Sequence, residues 1–230
     1  MNQAAEITTP EITVIRNPRS RGAKLSVDRV TGEIRLTIPP RASARSALAW
    51  AQGQREWIAA QRSKLPSAQP IRDGSLLTVD SVPLTVRMVD GGPRAPRVED
   101  GALICAGPAD LFQARILRWL RREALRLLSA DTAECATRAG VSVSGVSVGY
   151  PRGRWGSCSS SGAIRYSWRL VLSPAWVRRA IVAHEVAHRV HMNHGPKFRA
   201  LEAELSDGKA VLARAWLRGN GVALHWVGRD

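Results

Sequence analysis

The sequence has few cysteines and no long apolar segment. Its three cysteines, Cys105, Cys135 and Cys158, are an odd number without paired spacing, which argues against a disulfide framework and favours a reducing compartment. No apolar run approaches the roughly 20 residues that a bilayer span requires, and the first residues lack the basic start and apolar core of a signal peptide. We therefore expect a cytoplasmic protein with no membrane partner.

Acidic residues and lysines are also scarce. Lys and Arg number 34 against 19 Asp and Glu, which gives a net charge of +15, and only four of the basic residues are lysines. Such an excess of positive charge favours polyanions such as nucleic acid or a nucleotide. Genomic base composition alone also produces an arginine skew, so the net charge by itself does not identify a binding site.

The first half of the chain is predicted to be rich in β-structure. Residues 1–12 are interpreted as a flexible tail, and residues 13–108 as a β-rich region with one helix. The alternating runs Lys24–Val27 and Ile34–Ile38 flank a Thr31-Gly32 turn, a pattern typical of a β-hairpin.

One helix is predicted in this half, from residue 43 or 44 to about residue 64. Its apolar spacing places Trp50, Trp57 and Ile58 on one face, which is expected to contact the core. Short strands follow at residues 76–79, 84–86 and 102–104.

Residues 109–230 are predicted to alternate helices with a few strands, so the fold class is α+β. A long helix is expected from about residue 110 to residue 139, with Gly140 as its C-terminal stop. Arg115, Arg118, Arg122 and Arg126 fall at helical spacing on it and form a basic ridge, either a solvated face or a contact surface for nucleic acid or a nucleotide.

The remaining elements of this half are three strands and two helices. Ser173-Pro174 is a good start for a helix, because Ser caps helices and Pro is tolerated at their first position. The strands are predicted at residues 141–148 and 164–172, the second helix at residues 201–217, and a short terminal strand at residues 222–227.

All five histidines lie after residue 183, and four of them fall within eleven positions. In the segment His184-Glu185-Val186-Ala187-His188 the two histidines are four residues apart, so on a helix both imidazoles reach one point, as two corners of a tetrahedral zinc site require. Glu185 then lies beside the metal without binding it, where it can take a proton from a water whose pKa the zinc ion has lowered. This spacing predicts a zinc-dependent hydrolase with Glu185 as the catalytic base.

A third protein ligand is required, and the sequence offers three candidates. His194 is favoured, because Gly195-Pro196 directly after it ends a helix and turns the chain, and because its spacing matches extended zinc motifs. His191 continues along the helix axis away from the metal. Glu202 or Glu204 would complete a site with two histidines and one glutamate.

Four segments of the second half resemble the YgjP-like metallopeptidase family, which is related to SprT-like zinc proteases. The N-terminal half is similar to this family as well, so the resemblance covers residues 13–227. The segments that carry it are Arg154-Trp155-Gly156-Ser157-Cys158, Trp168-Arg169-Leu170 through Ser173-Pro174, the motif of His184 to His188, and Asn193-His194-Gly195-Pro196-Lys197-Phe198.

The resemblance implies one YgjP-like domain, in which a zincin-like metallopeptidase region of residues 109–230 follows the β-rich region. That region would contain a small sheet and an active-site helix with the H-E-x-x-H motif. The resemblance further implies that His184, His188 and His194 hold Zn²⁺ and that Glu185 is catalytic.

Hydrolysis of a protein or peptide is the leading hypothesis. The strand predicted at residues 164–172 would lie along the cleft and bind an extended substrate, and Arg154, Tyr166 or Arg169 could contact the substrate or the oxyanion. Cys158 is expected to be a small buried residue, with a role as an inhibitory metal ligand as the alternative.

Two other functions remain open at the level of sequence. The first is a metal-dependent nucleoside triphosphate pyrophosphatase or phosphohydrolase, although the chain has no G-x-x-x-x-G-K-[ST] phosphate loop. The second is a nucleic-acid-associated protease of SprT-like type that docks through its basic ridge.

Overall fold

The computed structural model describes residues 11–151 and 153–229 of the chain. Residues 1–10 of the predicted tail lie outside the described residues, whereas Ile12 already begins a strand. The chain divides into two compact units, Met1–Ser67 and Ala68–Asp230. The functional division between residues 108 and 109 stays a prediction.

The first unit contains a three-stranded sheet with the order β1-β3-β2. The hairpin prediction is confirmed, because β2 and β3 pair antiparallel and Gly32 adopts the left-handed conformation (φ 75°) that the turn requires. Strand β1 pairs with β3 in parallel. The strands are β1 (Ile12–Arg16), β2 (Lys24–Val27) and β3 (Ile34–Ile38).

The helix predicted from residue 43 to residue 64 is wrong as a single element. Helix α1 (Ala44–Gln52) ends at Gly53, and α2 (Arg55–Arg62) begins two residues later.

The two tryptophans of these helices are not core residues, contrary to the prediction. Trp50 is 46% exposed and Trp57 is 39% exposed, whereas Ile58 is buried as predicted. Helix α1 instead buries Ala47 and Ala51 together with residues of β3. Trp50 precedes Ala51 by one residue, about 100° around the helix, so it faces away.

The second unit begins with a four-stranded sheet of order β4-β5-β7-β6. The turn between β4 and β5 consists of Asp80 and Ser81, both with positive φ. The three strands predicted here are confirmed. The sheet comprises β4 (Leu76–Val79), β5 (Val82–Val89), β6 (Arg97–Glu99) and β7 (Ala102–Ala106).

The long helix α3 (Ala109–Ala139) agrees with the prediction, and Gly140 ends it in the left-handed conformation. Its apolar face lies in the main core of this unit, where Ile116, Leu120 and Leu128 are completely buried. The predicted ridge on the opposite side is only partly correct. Arg118, Arg122 and Arg126 are exposed, but Arg115 is buried and donates to the carbonyl of Ala106 (3.0 Å).

A second, three-stranded sheet has the order β8-β10-β9. The strand predicted at residues 164–172 is wrong in its second half: β10 ends at Ser167, and a 3-10 helix (Trp168–Leu172) follows. Ser167 and Arg169 are consequently buried rather than exposed on alternate positions. The strands are β8 (Gly145–Gly149), β9 (Gly156–Cys158) and β10 (Ala163–Ser167).

Three further helices complete the unit: α4 (Ala175–Ala187), α5 (Pro196–Leu205) and α6 (Ala210–Leu224). The helix predicted at residues 201–217 is therefore two helices, because Asp207 and Gly208 both have positive φ and reverse the chain. The terminal strand predicted at residues 222–227 is also wrong, since α6 continues to Leu224.

The start of α4 is fixed by polar contacts with two other elements. Arg178 is buried and its guanidinium contacts Asp131 of α3 (2.7 Å) and Asp80 of the β4–β5 turn (2.5 Å). From the same turn, the Ser81 hydroxyl accepts a hydrogen bond from the amide of Ala175 (3.0 Å). The helix that carries the H-E-x-x-H motif is therefore held on both α3 and the first sheet of this unit.

The mixed helix-and-sheet composition that the sequence predicts is confirmed. In the part of the chain that the structure describes, no helix combines the length and the apolar character that crossing a membrane would take.

Candidate metal centre

The structure brings His184, His188 and His194 together. His184 lies in the last turn of α4, His188 caps its C-terminus, and His194 belongs to the connection between α4 and α5. One ring nitrogen from each histidine lies within 4.8 Å of the other two. The chain reverses after His191 as the Gly195-Pro196 pair predicts, and this reversal delivers the third imidazole.

Two of these imidazoles are oriented by hydrogen bonds from Nδ1. His184 Nδ1 lies 2.7 Å from Glu202 Oε1, and His188 Nδ1 lies 3.2 Å from the backbone carbonyl oxygen of His191. Carboxylate and carbonyl oxygens only accept, so Nδ1 donates in both rings, and in the neutral form of each ring the lone pair is then on Nε2. Both rings are therefore in the tautomer that a metal ligand needs.

One distance between ring nitrogens matches the geometry of a tetrahedral zinc site. Two nitrogens at the usual zinc distance of about 2.05 Å would lie about 3.3 Å apart at a tetrahedral angle. The Nε2 atoms of His184 and His194 are 3.4 Å apart. Three imidazoles leave the fourth position of a tetrahedron open, as in catalytic rather than structural zinc sites.

The residues around the histidines hold them in place. Phe198 of α5 is buried and contacts all three imidazoles, with ring centroids 4.6 to 5.1 Å apart. Glu202, one turn further along α5, also accepts a hydrogen bond from Arg214 of α6 (2.6 Å). Burial and the neighbouring His184 lower the pKa of His188, which favours the neutral, metal-binding form of its ring.

Glu185 lies beside the histidines and is almost completely buried. Burial raises the pKa of its carboxyl group to about 7, and the guanidinium of Arg154 acts in the opposite direction. A cation at the histidines would favour the carboxylate in the same way as Arg154 does. The Glu185 side chain lies so close to β9 that a Cβ at Gly156 would stand 2.4 Å from Glu185 Oε1.

An open cleft of about 270 Å³ connects these groups. Its wall on one side is formed by strand β9, and Met192 lies at its edge. The lining residues are Arg154, Gly156, Ser157, Cys158, His184, Glu185, His188, Met192 and His194.

The structure does not bring every predicted site residue to this cleft. Arg154 lines it. Tyr166 is fully buried, with its hydroxyl 3.0 Å from the Thr132 hydroxyl. Arg169 is buried and donates to the Val227 carbonyl (2.9 Å). The structure therefore does not bring Tyr166 and Arg169 to the cleft, because their polar groups contact the core and the C-terminal segment.

The other candidate ligands have different places. Glu202 orients His184 instead of facing the cleft, and Glu204 is exposed on α5. His191 contributes its backbone carbonyl to His188. Cys158 lines the cleft but does not belong to the cluster of ligand atoms, and burial raises the pKa of its thiol.

Sequence reasoning missed the roles of Gly156, Phe198, Glu202 and Arg214. Gly156 and Phe198 lie in segments of family resemblance, so a signal existed for their importance but not for their contacts. Glu202 was considered only as a metal ligand. The sequence offers no local signal for Arg214, which reaches Glu202 from the next helix.

The convergent imidazoles, the buried carboxylate and the open cleft define a metal-dependent hydrolase. A family model, YgjP-like metallopeptidase domain, matches residues 21–220. The chain therefore belongs to the YgjP-like metallopeptidase family, as the sequence resemblance predicts. No curated protein and no solved structure shows significant similarity to it.

Proposed function

We propose that this chain is a zinc-dependent peptidase in which His184, His188 and His194 hold the ion and Glu185 is the general base. The observation that carries the proposal is the convergence of three imidazole nitrogens next to a buried carboxylate in one open cleft. When bound, zinc supplies Lewis acidity that makes a water acidic and polarises a carbonyl.

Each residue of the cleft has a task in this mechanism. Glu185 takes the proton of the attacking water and later gives it to the leaving amine. Gly156 leaves the space in which the Glu185 side chain fits against β9. Arg154 lies near enough to Glu185 to influence its charge, and we assign it to the carbonyl oxygen of the substrate, where negative charge develops.

Strand β9 is the surface to which we assign the substrate backbone. The sequence suggested the strand that follows it, but β10 is the middle strand of the sheet and pairs with β8 and β9 on its two sides. Among the described strands, β9 lies at an edge of the order β8-β10-β9, and its residues line the cleft. We place an extended peptide on this edge, in the cleft that β9 shares with Glu185 and the histidines. The resulting arrangement is zincin-like.

A second cavity, of about 180 Å³, adjoins Glu185 and His184 on the side of α6. The small side chains of Ala180 on α4 and Ala213 on α6 leave its space open. Trp155 and Ile181 also line it. This largely apolar pocket fits an apolar side chain of the substrate next to the scissile bond.

Charge in the cleft favours a peptide over a nucleoside triphosphate. Arg214 lines the second cavity, but its guanidinium already contacts Glu202, so among the described arginines that line the two cavities Arg154 is the one left for a phosphate chain. The buried Glu185 would face the same chain and repel it. The free thiols of all three cysteines support a reducing compartment such as the cytoplasm as the place of action.

The variant Glu185→Gln tests the mechanism. The control is Glu204→Gln, which removes the same charge at an exposed position of α5. We expect Glu185→Gln to retain about one zinc ion per chain and to lose activity on a loosely folded protein by about 10²–10⁴-fold. The control should keep both properties.

Two results would contradict the proposal. Equal activity of the wild type and Glu185→Gln would exclude Glu185 as the base. Release of pyrophosphate from UTP or ATP at a Glu185-dependent rate, with no cleavage of the protein substrate, would keep the metal site but change the substrate class.

A further inference from the structure

A groove lined by arginines lies on α3, and the proposed peptidase mechanism does not use it. The loop before β6 forms one wall of the groove, and the middle of α3 forms the other. Its volume is about 370 Å³. The lining residues are Arg94, Ala95, Pro96, Arg115, Arg118, Trp119 and Arg122.

The four arginines of this groove have no acidic partner in the part of the chain that the structure describes. Among residues 11–151 and 153–229, no carboxylate oxygen lies within 4.0 Å of their guanidinium nitrogens. Arginines just outside the groove are neutralised: Arg126 contacts Glu123 (3.0 Å) and Arg97 contacts Glu99 (3.0 Å). The four positive charges of the groove are therefore not offset by a described carboxylate, and they attract an anionic ligand to it.

Arg115 is held in place before any ligand binds. Its side chain is 9% exposed, and Nη1 donates to the carbonyl of Ala106 (3.0 Å). Its guanidinium also lies against Gly107, where a Cβ would stand 2.4 Å from Nη1. A guanidinium has five N–H donors, and Arg115 lines the groove in addition to its bond with Ala106. Because the side chain is already ordered, binding costs less conformational entropy.

The remaining lining is apolar and includes an aromatic ring. Trp119 is half-buried, and Ala95 and Pro96 complete the apolar part of the groove. A tryptophan between arginines is the combination that binds single-stranded nucleic acid, because bases stack on the ring while phosphates contact the guanidinium groups.

The geometry favours a strand over a free nucleotide or a membrane. From Arg115 to Arg122 the row extends about 10.5 Å along the helix axis, a length suited to successive phosphates. Both residues lie within α3 rather than at its N-terminus, and the chain has no glycine-rich phosphate loop, so the usual features of a nucleotide pocket are missing. A bilayer is contacted by a protruding face, whereas these arginines surround a depression.

We propose that the arginine groove binds single-stranded nucleic acid, with the guanidinium groups of Arg94, Arg115, Arg118 and Arg122 on the phosphates and Trp119 against a base. The net charge of +15 adds a long-range attraction for the same ligand. The site would bring the protein to nucleic acid independently of its hydrolytic cleft.

The test measures the affinity of a fluorescent oligo(dT) of about 12 nucleotides by anisotropy at several salt concentrations. The groove variant is Arg118→Gln combined with Arg122→Gln, both exposed. The control is Arg199→Gln combined with Arg218→Gln, also exposed and with the same loss of charge, outside the groove.

We expect the groove variant to weaken binding about tenfold or more. The slope of log affinity against log salt should fall by about 1.4, the value for two lost phosphate contacts on a single strand. The control should change both quantities by much less. Equal effects of the two double variants would overturn the proposal, because only net charge would then matter.

Two further results would also overturn it. The first is displacement of the oligonucleotide by ATP with an affinity equal to that of the strand, which would make the groove a nucleotide pocket. The second is binding of vesicles that contain anionic lipid, lost in the groove variant, with no binding of the oligonucleotide.

Discussion

Glu202 provides the sharpest test of the metal centre. It is 3% exposed, it accepts the Nδ1 proton of His184 (2.7 Å), and it also contacts Arg214 (2.6 Å). A glutamate so placed fixes the orientation of the imidazole and increases its basicity towards the metal. The variant Glu202→Gln retains the shape and an accepting oxygen but removes the negative charge.

The expected effect is on metal affinity. Loss of such a partner typically weakens binding 10–100-fold, which corresponds to about 1.4–2.7 kcal/mol. We expect the upper half of this range, since the guanidinium of Arg214 (2.6 Å from Glu202 Oε1) would no longer be balanced by a charge near the ion. The matched control is Glu204→Gln, which changes an exposed glutamate of the same helix and should leave zinc affinity unchanged.

The assay is a competition titration of zinc between the protein and a chromophoric chelator, with urea unfolding of the metal-free proteins measured separately. The second measurement distinguishes weaker binding from a less stable fold. If Glu202→Gln binds zinc as tightly as Glu204→Gln and the wild type, the role assigned to the charge of Glu202 in holding His184 as a ligand is refuted.

Two further predictions concern the support of the active helix. Gly156→Ala should lower turnover about 100-fold with zinc content retained. The new Cβ would clash with the Glu185 side chain and displace its carboxylate, and a displacement of about 1 Å costs roughly this factor in rate. A wild-type rate in this variant would show that catalysis does not depend on the position of Glu185 against β9. Arg178→Leu should destabilise the fold by about 3 kcal/mol, the low end for a broken buried ion pair, because Asp131 loses its 2.7 Å partner. Thermal unfolding should then shift downward by about 6–12 °C. The exposed Arg179, 3.4 Å from Asp131, serves as control, and Arg179→Leu should cost less than about 1 kcal/mol. Equal shifts of the two variants would contradict the role of Arg178.

Much of the metal centre was predictable because its information is local in sequence. His184 and His188 are one helical turn apart, and the turn that delivers His194 is encoded by Gly195-Pro196. The hairpin of β2 and β3 and the long helix α3 were predictable for the same reason, since a turn signal and a C-terminal glycine mark their ends.

Other features could not be predicted because they depend on contacts between distant segments. The burial of Arg115 requires the Ala106 carbonyl and the Gly107 backbone beside it. The exposure of Trp50 and Trp57 depends on which face of each helix meets the sheet, and helical spacing alone does not choose between faces. Tyr166 has the residue type of an oxyanion contact, but the packing of α3 against the sheet places its hydroxyl on Thr132.

The sequence by itself determined which residues can form the candidate metal site, because two imidazoles one helical turn apart, a third next to the turn at Gly195-Pro196 and the adjacent Glu185 are all set by residue type and local spacing. Only the tertiary structure decided how that site is held and approached. The orientation of His184 by Glu202, the space at Gly156 for Glu185 and the position of β9 at the edge of its sheet arise from elements that meet only in the folded chain, where hydrogen bonding and packing select one arrangement.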